Sequence, residues 1–96
     1  MTPRDIPPPE IDTRWLEDFI LLSKTLSFSQ SAHIRSISTI TFSRRIKALE
    51  KSLHSQLINR STKPIQLTSQ GHSFLMVAQD ILQQLDQFKT NGPVKK

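Results

Sequence analysis

The stretch that most constrains the fold of this chain is residues 27–60, SFSQSAHIRSISTITFSRRIKALEKSLHSQLINR. Its second half contains apolar residues at i, i+4, i+7 and i+11, which is the spacing of one helix face: Phe42, Ile46, Leu49 and Leu53. The opposite face carries Ile40, Arg44, Lys47 and Lys51, flanked by Ser43 and Arg45. This pattern predicts a helix over 39–53, apolar on one side and cationic on the other.

A second, shorter helix precedes it. We expect this helix at about 30–35, with Ser29 as its N-cap and Ala32 as the small residue that allows close helix packing. A turn follows at Ser36 and Ile37, with Ile37 as its buried plug, and Ser38 caps the longer helix. Two helices joined by such a turn are typical of the helix-turn-helix, a motif that places its second helix in the major groove of DNA.

The flanking segments complete a small, mainly α domain. A first helix is predicted at about 13–25, capped by Asp12 or Thr13, and Phe28 after it is expected to point inward. The predicted buried side of that helix consists of Trp15, Leu16, Phe19, Ile20 and Leu22. Short β-like segments at 56–60 and 64–67, separated by a polar turn, predict a two-stranded wing whose tip reaches the DNA backbone or minor groove.

The last helix is predicted at 69–88, with Thr68 as its N-cap. One stripe on it follows the a/d spacing of a coiled coil over two heptads: Phe74, Ala78, Ile81, Leu85 and Phe88. We expect this stripe to pair with a second copy, because the domain core is already closed without it. The alternative is that the stripe packs on its own domain.

The composition and net charge limit the classes of partner that the chain is expected to bind. The 96 residues carry a net charge of +5 and the sequence pI is about 10.1, which favours an anionic partner, either nucleic acid or a membrane surface. No apolar run is long enough to span a bilayer, and the absence of cysteine excludes disulfides. The Pro-rich segment 1–12 does not resemble a secretory signal; we expect it and the tail 91–96 to be disordered, and the chain to be cytoplasmic.

Catalytic and metal chemistry have no support in the sequence. His33, His54 and His72 are irregularly spaced, with no cysteine and no carboxylate pair beside them, so no metal site is predicted. No nucleophile–base order and no phosphate-binding glycine loop is present. We expect neither an enzyme nor a cofactor, and no small-molecule site.

From residue 15 to 71 the chain resembles, without gaps, the N-terminal DNA-binding domain of LysR-type transcriptional regulators. The residues that carry the resemblance are Leu16-x-x-Phe19, Ser27-Phe28, Ala32, Ile37-Ser38, Ser43-x-x-Ile46-x-x-Leu49-Glu50, Leu57, Arg60 and Leu67-Thr68-x-x-Gly71. The resemblance implies a winged helix-turn-helix over 13–67, a linker helix over 68–90 that dimerises, and sequence-specific regulation of transcription. The long effector domain of the family is missing, so the chain is a fragment or a natural short form.

Several positions depart from the family pattern. The family usually has Ala at Ser31, Leu at Arg35, Gln-Pro at Thr39-Ile40, Gly at His54 and Phe at Ile58. Arg35 would have to extend its charged head out of the core. Thr39 replaces a side chain that often reads DNA, so no base preference carries over there. Arg35 together with residues 64–67, PIQL, is similar to a subgroup that includes an oxidant-responsive regulator.

We therefore predict a module that binds duplex DNA as a homodimer. The candidate DNA contacts are Ser29, Gln30, Ser38, Thr39, Ile40, Thr41, Ser43, Arg44, Arg45, Lys47, Arg60 and Lys63. Thr39 and Ser43 are the candidate base readers, while Ile40 either touches a thymine methyl or is merely exposed. The alternative function is an interaction module that lacks an effector domain and pairs with a full-length relative through its last helix.

Overall fold

The computed structural model of the protein describes residues 11–91. Its elements are α1 (Thr13–Thr25), α2 (Phe28–Arg35), α3 (Thr39–Leu53), β1 (Ile58–Asn59), β2 (Gln66–Leu67) and α4 (Ser69–Asn91). The predicted mainly α, winged helix-turn-helix fold is therefore confirmed. The predicted leader 1–12 and tail 91–96 lie outside the described residues except for Ile11, Asp12 and Asn91. Asn91 belongs to α4, which extends three residues beyond its predicted end at 88.

Side-chain caps fix where the helices begin. Asp12 and Ser38 cap α1 and α3 as predicted, each accepting a hydrogen bond from a backbone N–H of the first turn. For α2 the prediction was wrong, because Ser27 rather than Ser29 is the cap. The hydroxyl of Ser27 accepts from the Gln30 backbone N–H at 3.1 Å, so α2 begins two residues earlier, at Phe28.

Three residues with left-handed backbone close the first three helices. Leu26, Ser36 and His54 have φ values of 54°, 60° and 52°, and each donates its N–H to a carbonyl of the last turn. At His54, this geometry explains why glycine suits the position in the family. The chain therefore turns sharply between consecutive helices, and α2 and α3 pack as a helix-turn-helix.

The wing is shorter than predicted. Its strands are antiparallel, pairing Ile58 with Leu67 and Asn59 with Gln66. The strand stops at Asn59 because the side chain of that residue accepts the Ser61 backbone N–H at 3.0 Å and starts a turn. The base of the wing is buried even so, since Ile58 has no exposed surface.

One core joins the helices and the wing. The buried apolar residues are Leu16, Phe19, Leu22, Ala32, Phe42, Ile46, Leu49, Leu57, Ile58 and Ala78. The core includes most of the predicted stripes of α1 and α3, although Trp15, Ile20, Ile37 and Leu53 are only partly buried around it. Gly71 allows α4 to cross closely, because a Cβ there would lie 2.2 Å from the carbonyl oxygen of Leu57.

Candidate nucleic-acid interface

The outer face of α3 is exposed along its length, as the apolar and cationic stripes predicted. Ile40, Arg44, Lys47 and Lys51 all lie on the solvent side, with Thr39 and Thr41 exposed beside them in the first turn. Ser38 both accepts the Thr41 backbone N–H and donates to the Thr41 hydroxyl, each at 3.0 Å. These two hydroxyls are therefore engaged in capping the helix in this structure.

Arg45 lies at the edge of this face and points toward α1. Its Nη1 is 3.3 Å from Oδ2 of Asp18, a carboxylate with no exposed surface, and Nε of Arg35 is 2.8 Å from Oδ1 of the same group. We call these three residues the Asp18 cluster. Burial raises the pKa of Asp18, and the two arginines oppose that rise. Arg45 thus has a structural role, and its predicted contact with DNA stays a prediction.

The Asp18 cluster was missed from the sequence, and it corrects the expectation for Arg35. Arg35 does not simply extend into water, because it pairs with Asp18 and also lies 3.2 Å from Glu17. A signal was available, since Asp18 precedes the buried Leu22 by one helical turn and therefore shares its inward face. An acidic residue there, together with arginine in place of the usual leucine at Arg35, indicates a buried ion pair.

A second carboxylate anchors the wing to α3. Oε2 of Glu50 accepts the backbone N–H groups of Leu57 at 2.8 Å and Ile58 at 3.0 Å. Its Oε1 accepts from Nη1 of Arg60 at 3.2 Å, and the Arg60 guanidinium lies 5.2 Å from the centroid of the Phe28 ring. We call Glu50, Leu57, Ile58 and Arg60 the Glu50 cluster. This cluster fixes the position of Arg60 and of the wing beside α3.

A groove of about 470 Å³ lies between α3 and the wing. It brings together five of the predicted DNA contacts: Thr39, Ser43, Lys47, Arg60 and Lys63. Within residues 11–91, no carboxylate forms an ion pair with Arg44, Lys47 or Lys63, so their charge is available to an external anion. Ser29 and Gln30 lie apart from this groove, exposed in the first turn of α2.

The stripe of α4 is divided between two environments. The expectation that the domain core does not need it was wrong for Phe74 and Ala78. The Phe74 ring lies 5.9 Å from that of Phe19, and Ala78 is 0% exposed, so Ala78 offers no surface to a second copy. The reason is that one face of α4 packs against α1. On an adjacent face, Val77, Ile81, Leu85 and Phe88 remain exposed.

Residues 13–72 match the family model described as "Bacterial regulatory helix-turn-helix protein, lysR family". The chain belongs to the lysR family. Among its LysR-type relatives, the HTH-type transcriptional regulator YjiE of Escherichia coli strain K12 is 46% identical over 76 residues, which make up 79% of this chain and 25% of YjiE. The chain thus spans about a quarter of the length of the curated relatives it matches.

Solved structures of LysR-type proteins share its fold. HypT from Salmonella typhimurium, a hypochlorite-specific LysR-type regulator, is 45% identical with a TM-score of 0.81, over 85% of this chain and 28% of HypT. The DNA-binding domain of BenM from Acinetobacter baylyi, in complex with catB site 1 DNA, is 32% identical with a TM-score of 0.79, over 82% of this chain and 85% of that one. These relatives are regulators, and the alternative of an interaction module is not supported. None of the described helices of the present chain could cross a membrane.

Proposed function

We propose that this chain is the duplex-DNA-binding module of a LysR-type transcriptional regulator. The observation that carries the proposal is the unpaired cationic face of α3 beside the wing groove, on a fold shared with a domain solved on DNA. Cations on an exposed helix release counterions when they meet the phosphates of a duplex. Arg44, Lys47 and Lys63 bind phosphates, Thr39 and Ser43 read base edges, and Ser29 and Gln30 hold α2 against the backbone. Such a module acts on DNA in the bacterial cytoplasm.

A salt titration tests this proposal. If about five phosphates are neutralised per monomer, the slope of log affinity against log salt is about −4 to −5 per monomer. Arg44→Ala and Lys47→Ala each reduce the magnitude of that slope by about 1. Lys89→Ala is the matched control, because Lys89 is an exposed cation in the last turn of α4 to which no DNA contact is assigned, and the slope should stay unchanged. A slope near zero for the wild type excludes DNA binding.

We also propose that the module binds as a homodimer through the exposed face of α4. Val77, Ile81, Leu85 and Phe88 place four large apolar side chains on one face, with exposures between 38% and 65%. Burying a Leu or Phe side chain is worth about 1.5–3 kcal/mol, so two copies of this face can offset the entropy of pairing. Phe74 supports the edge of the interface, while Ala78 lies in the core beneath it.

Sedimentation of the full chain at tens of micromolar tests the dimer. Replacing Ile81 and Leu85 with Asp should give a folded monomer that binds a two-half-site operator poorly, because each half-site is then bound alone. Met76→Asp is the matched control, since Met76 is 72% exposed on another side of α4. A wild type that sediments as a monomer, with the double variant unchanged on DNA, refutes the dimer.

The 45–46% identity to YjiE and HypT, compared with 32% to BenM, supports the sequence-based assignment to a subgroup that includes an oxidant-responsive regulator. Because this chain spans about a quarter of those proteins, a response to an oxidant would belong to the longer protein. In such a regulator the DNA-binding module determines, through its own residues, which operator is bound.

A further inference from the structure

Ile40 is an exposed apolar residue at the start of the recognition helix α3. It is 66% exposed, it lies outside the hydrophobic core, and it stands on the same outer face as Arg44 and Lys47. The core contacts of α3 are made by the opposite stripe, in which Phe42 and Ile46 have no exposed surface. The fold therefore gives Ile40 no internal role.

We propose that Ile40 selects thymine at one position of each half-site through the C5 methyl group of that base. This inference rests on the proposed DNA binding and deepens it. The thymine methyl is the apolar group that base edges display in the major groove; the other edge groups are hydrogen-bond donors and acceptors. An isoleucine pressed against those polar groups would remove their water without replacing the hydrogen bonds. Against a methyl group, the same side chain buries apolar surface on both partners.

The position of Ile40 supports contact with a base rather than with the sugar–phosphate backbone. In helix-turn-helix proteins the N-terminal residues of the recognition helix contact base edges. The neighbouring Thr39 and Ser43 carry short side chains that let the first turn approach the groove floor. Arg44 and Lys47, one and two turns further along the same face, supply the charge that holds a duplex there. Among the described residues of α3, Ile40 is the exposed large apolar side chain, and it lies in the first turn.

Substitution of deoxyuridine for thymidine provides a direct test, because uracil pairs as thymine does and lacks only the methyl group. A high-affinity duplex is first selected from a random library with the full wild-type chain. Each thymidine is then replaced singly by deoxyuridine, and affinity is measured by fluorescence anisotropy for the wild type and for Ile40→Ala. We expect the wild type to lose about fourfold in affinity at one thymidine per half-site. Ile40→Ala should bind the unmodified duplex more weakly and show no further loss at that thymidine.

Ile34→Ala is the matched control, because Ile34 is a second exposed isoleucine, 55% exposed, on α2 rather than α3. It should keep the wild-type response to deoxyuridine. Circular dichroism checks that Ile40→Ala is folded, which its exposed position leads us to expect. A wild type that is insensitive to deoxyuridine everywhere, or a loss that persists in Ile40→Ala, overturns the inference while DNA binding stands. A chain that enriches no duplex at all overturns the proposed function as well.

Discussion

Among the described residues, the buried carboxylate of Asp18 and the partly buried carboxylate of Glu50 are held by different kinds of partner. Asp18 has no exposed surface and forms ion pairs with the side chains of Arg35 and Arg45. Its Oδ2 accepts a hydrogen bond from Arg45, whereas its Oδ1 lies 2.8 Å from Nε of Arg35 without hydrogen-bond geometry. Glu50, whose side chain is 12% exposed, binds two backbone N–H groups as well as Arg60 in the Glu50 cluster. The more deeply buried charge is therefore held by side chains, and the less buried one is held largely by the backbone.

The difference shows that burial alone does not measure what a carboxylate contributes to stability. The side chains of Arg35 and Arg45 are 26% and 22% exposed, so their charged heads can turn to water if Asp18 is changed. The backbone amides of Leu57 and Ile58 cannot do this, because both residues are buried. Burial also raises the pKa of Asp18, so the cost of desolvating that charge exceeds its attraction to the arginines. We infer that Glu50 contributes more to stability than Asp18.

The largest predicted effect is that of Glu50→Ala. This change leaves the backbone N–H groups of Leu57 and Ile58 buried without an acceptor, and each such group costs about 1–3 kcal/mol. We expect the free energy of unfolding to fall by about 3 kcal/mol in urea titrations followed by far-ultraviolet circular dichroism. Amide hydrogen exchange at Leu57 and Ile58 should accelerate more than exchange in α1, because the base of the wing loosens first.

Glu50→Gln is the control for this prediction. Glutamine keeps a carbonyl oxygen that can accept one of the two backbone N–H groups, but it loses the charge that faces Arg60. The expected loss of stability is about 1–2 kcal/mol, smaller than that of the alanine variant. Equal losses in both variants would show that the negative charge, and not the accepted hydrogen bonds, explains the role of Glu50.

The two clusters also differ in how far the sequence predicts them. Glu50 was identified through the Leu49-Glu50 motif of the family resemblance, although nothing in the motif says that its carboxylate binds the wing. Asp18 was missed because an acidic residue on an amphipathic helix ordinarily faces solvent. Its partner Arg45 was assigned to the DNA face for the same reason. A charged residue in a sequence does not show whether its side chain points to solvent or to the interior unless the residue that pairs with it is identified too.

Apolar spacing was more informative, within limits. The stripe of α3 and its Ser38 cap predicted the exact bounds of that helix, because a cap and a periodic core face constrain both ends. The stripe of α4 predicted a helix correctly, but the packing partner predicted for Ala78, a second copy of the chain, was wrong. A period of three and four residues specifies a helix face, and it does not specify whether that face meets the same chain or another. The tertiary crossing of α1 and α4 decides that.

A smaller effect is predicted for Asp18→Asn. Asparagine has the shape of aspartate and still offers one oxygen to the arginines, and it avoids the cost of burying a charge. We expect the free energy of unfolding at neutral pH to change by less than about 1 kcal/mol, in the same urea titration. A loss of about 3 kcal/mol or more would contradict the comparison, because Asp18 would then contribute as much to the free energy of unfolding as Glu50. Glu17→Gln, which alters only the exposed partner of Arg35, serves as the control.

The smallest predicted effect is a pH-dependent difference between the wild type and Asp18→Asn. Because the pKa of Asp18 is raised in the folded state above the usual value of 3.8, the folded chain binds the proton more tightly than the unfolded chain. Its contribution to stability is therefore fully present below pH 3.8 and is lost as the pH rises through the folded-state pKa. On acidification from neutral pH, the wild type should gain stability relative to Asp18→Asn.

The difference between the two proteins isolates Asp18 from other carboxylates that act in the opposite direction. A hydrogen bond from the Arg14 side chain lowers the pKa of the partly exposed Asp12 from 3.8 to about 2, so Asp12 loses its contribution as the pH falls from 3.8 through about 2. Both proteins contain Asp12, and its effect cancels in the difference. Thermal unfolding at a series of pH values measures that difference directly. If the wild type instead lost stability relative to Asp18→Asn on acidification, the arginines would outweigh burial, and Asp18 would resemble Glu50 as a net stabilising charge.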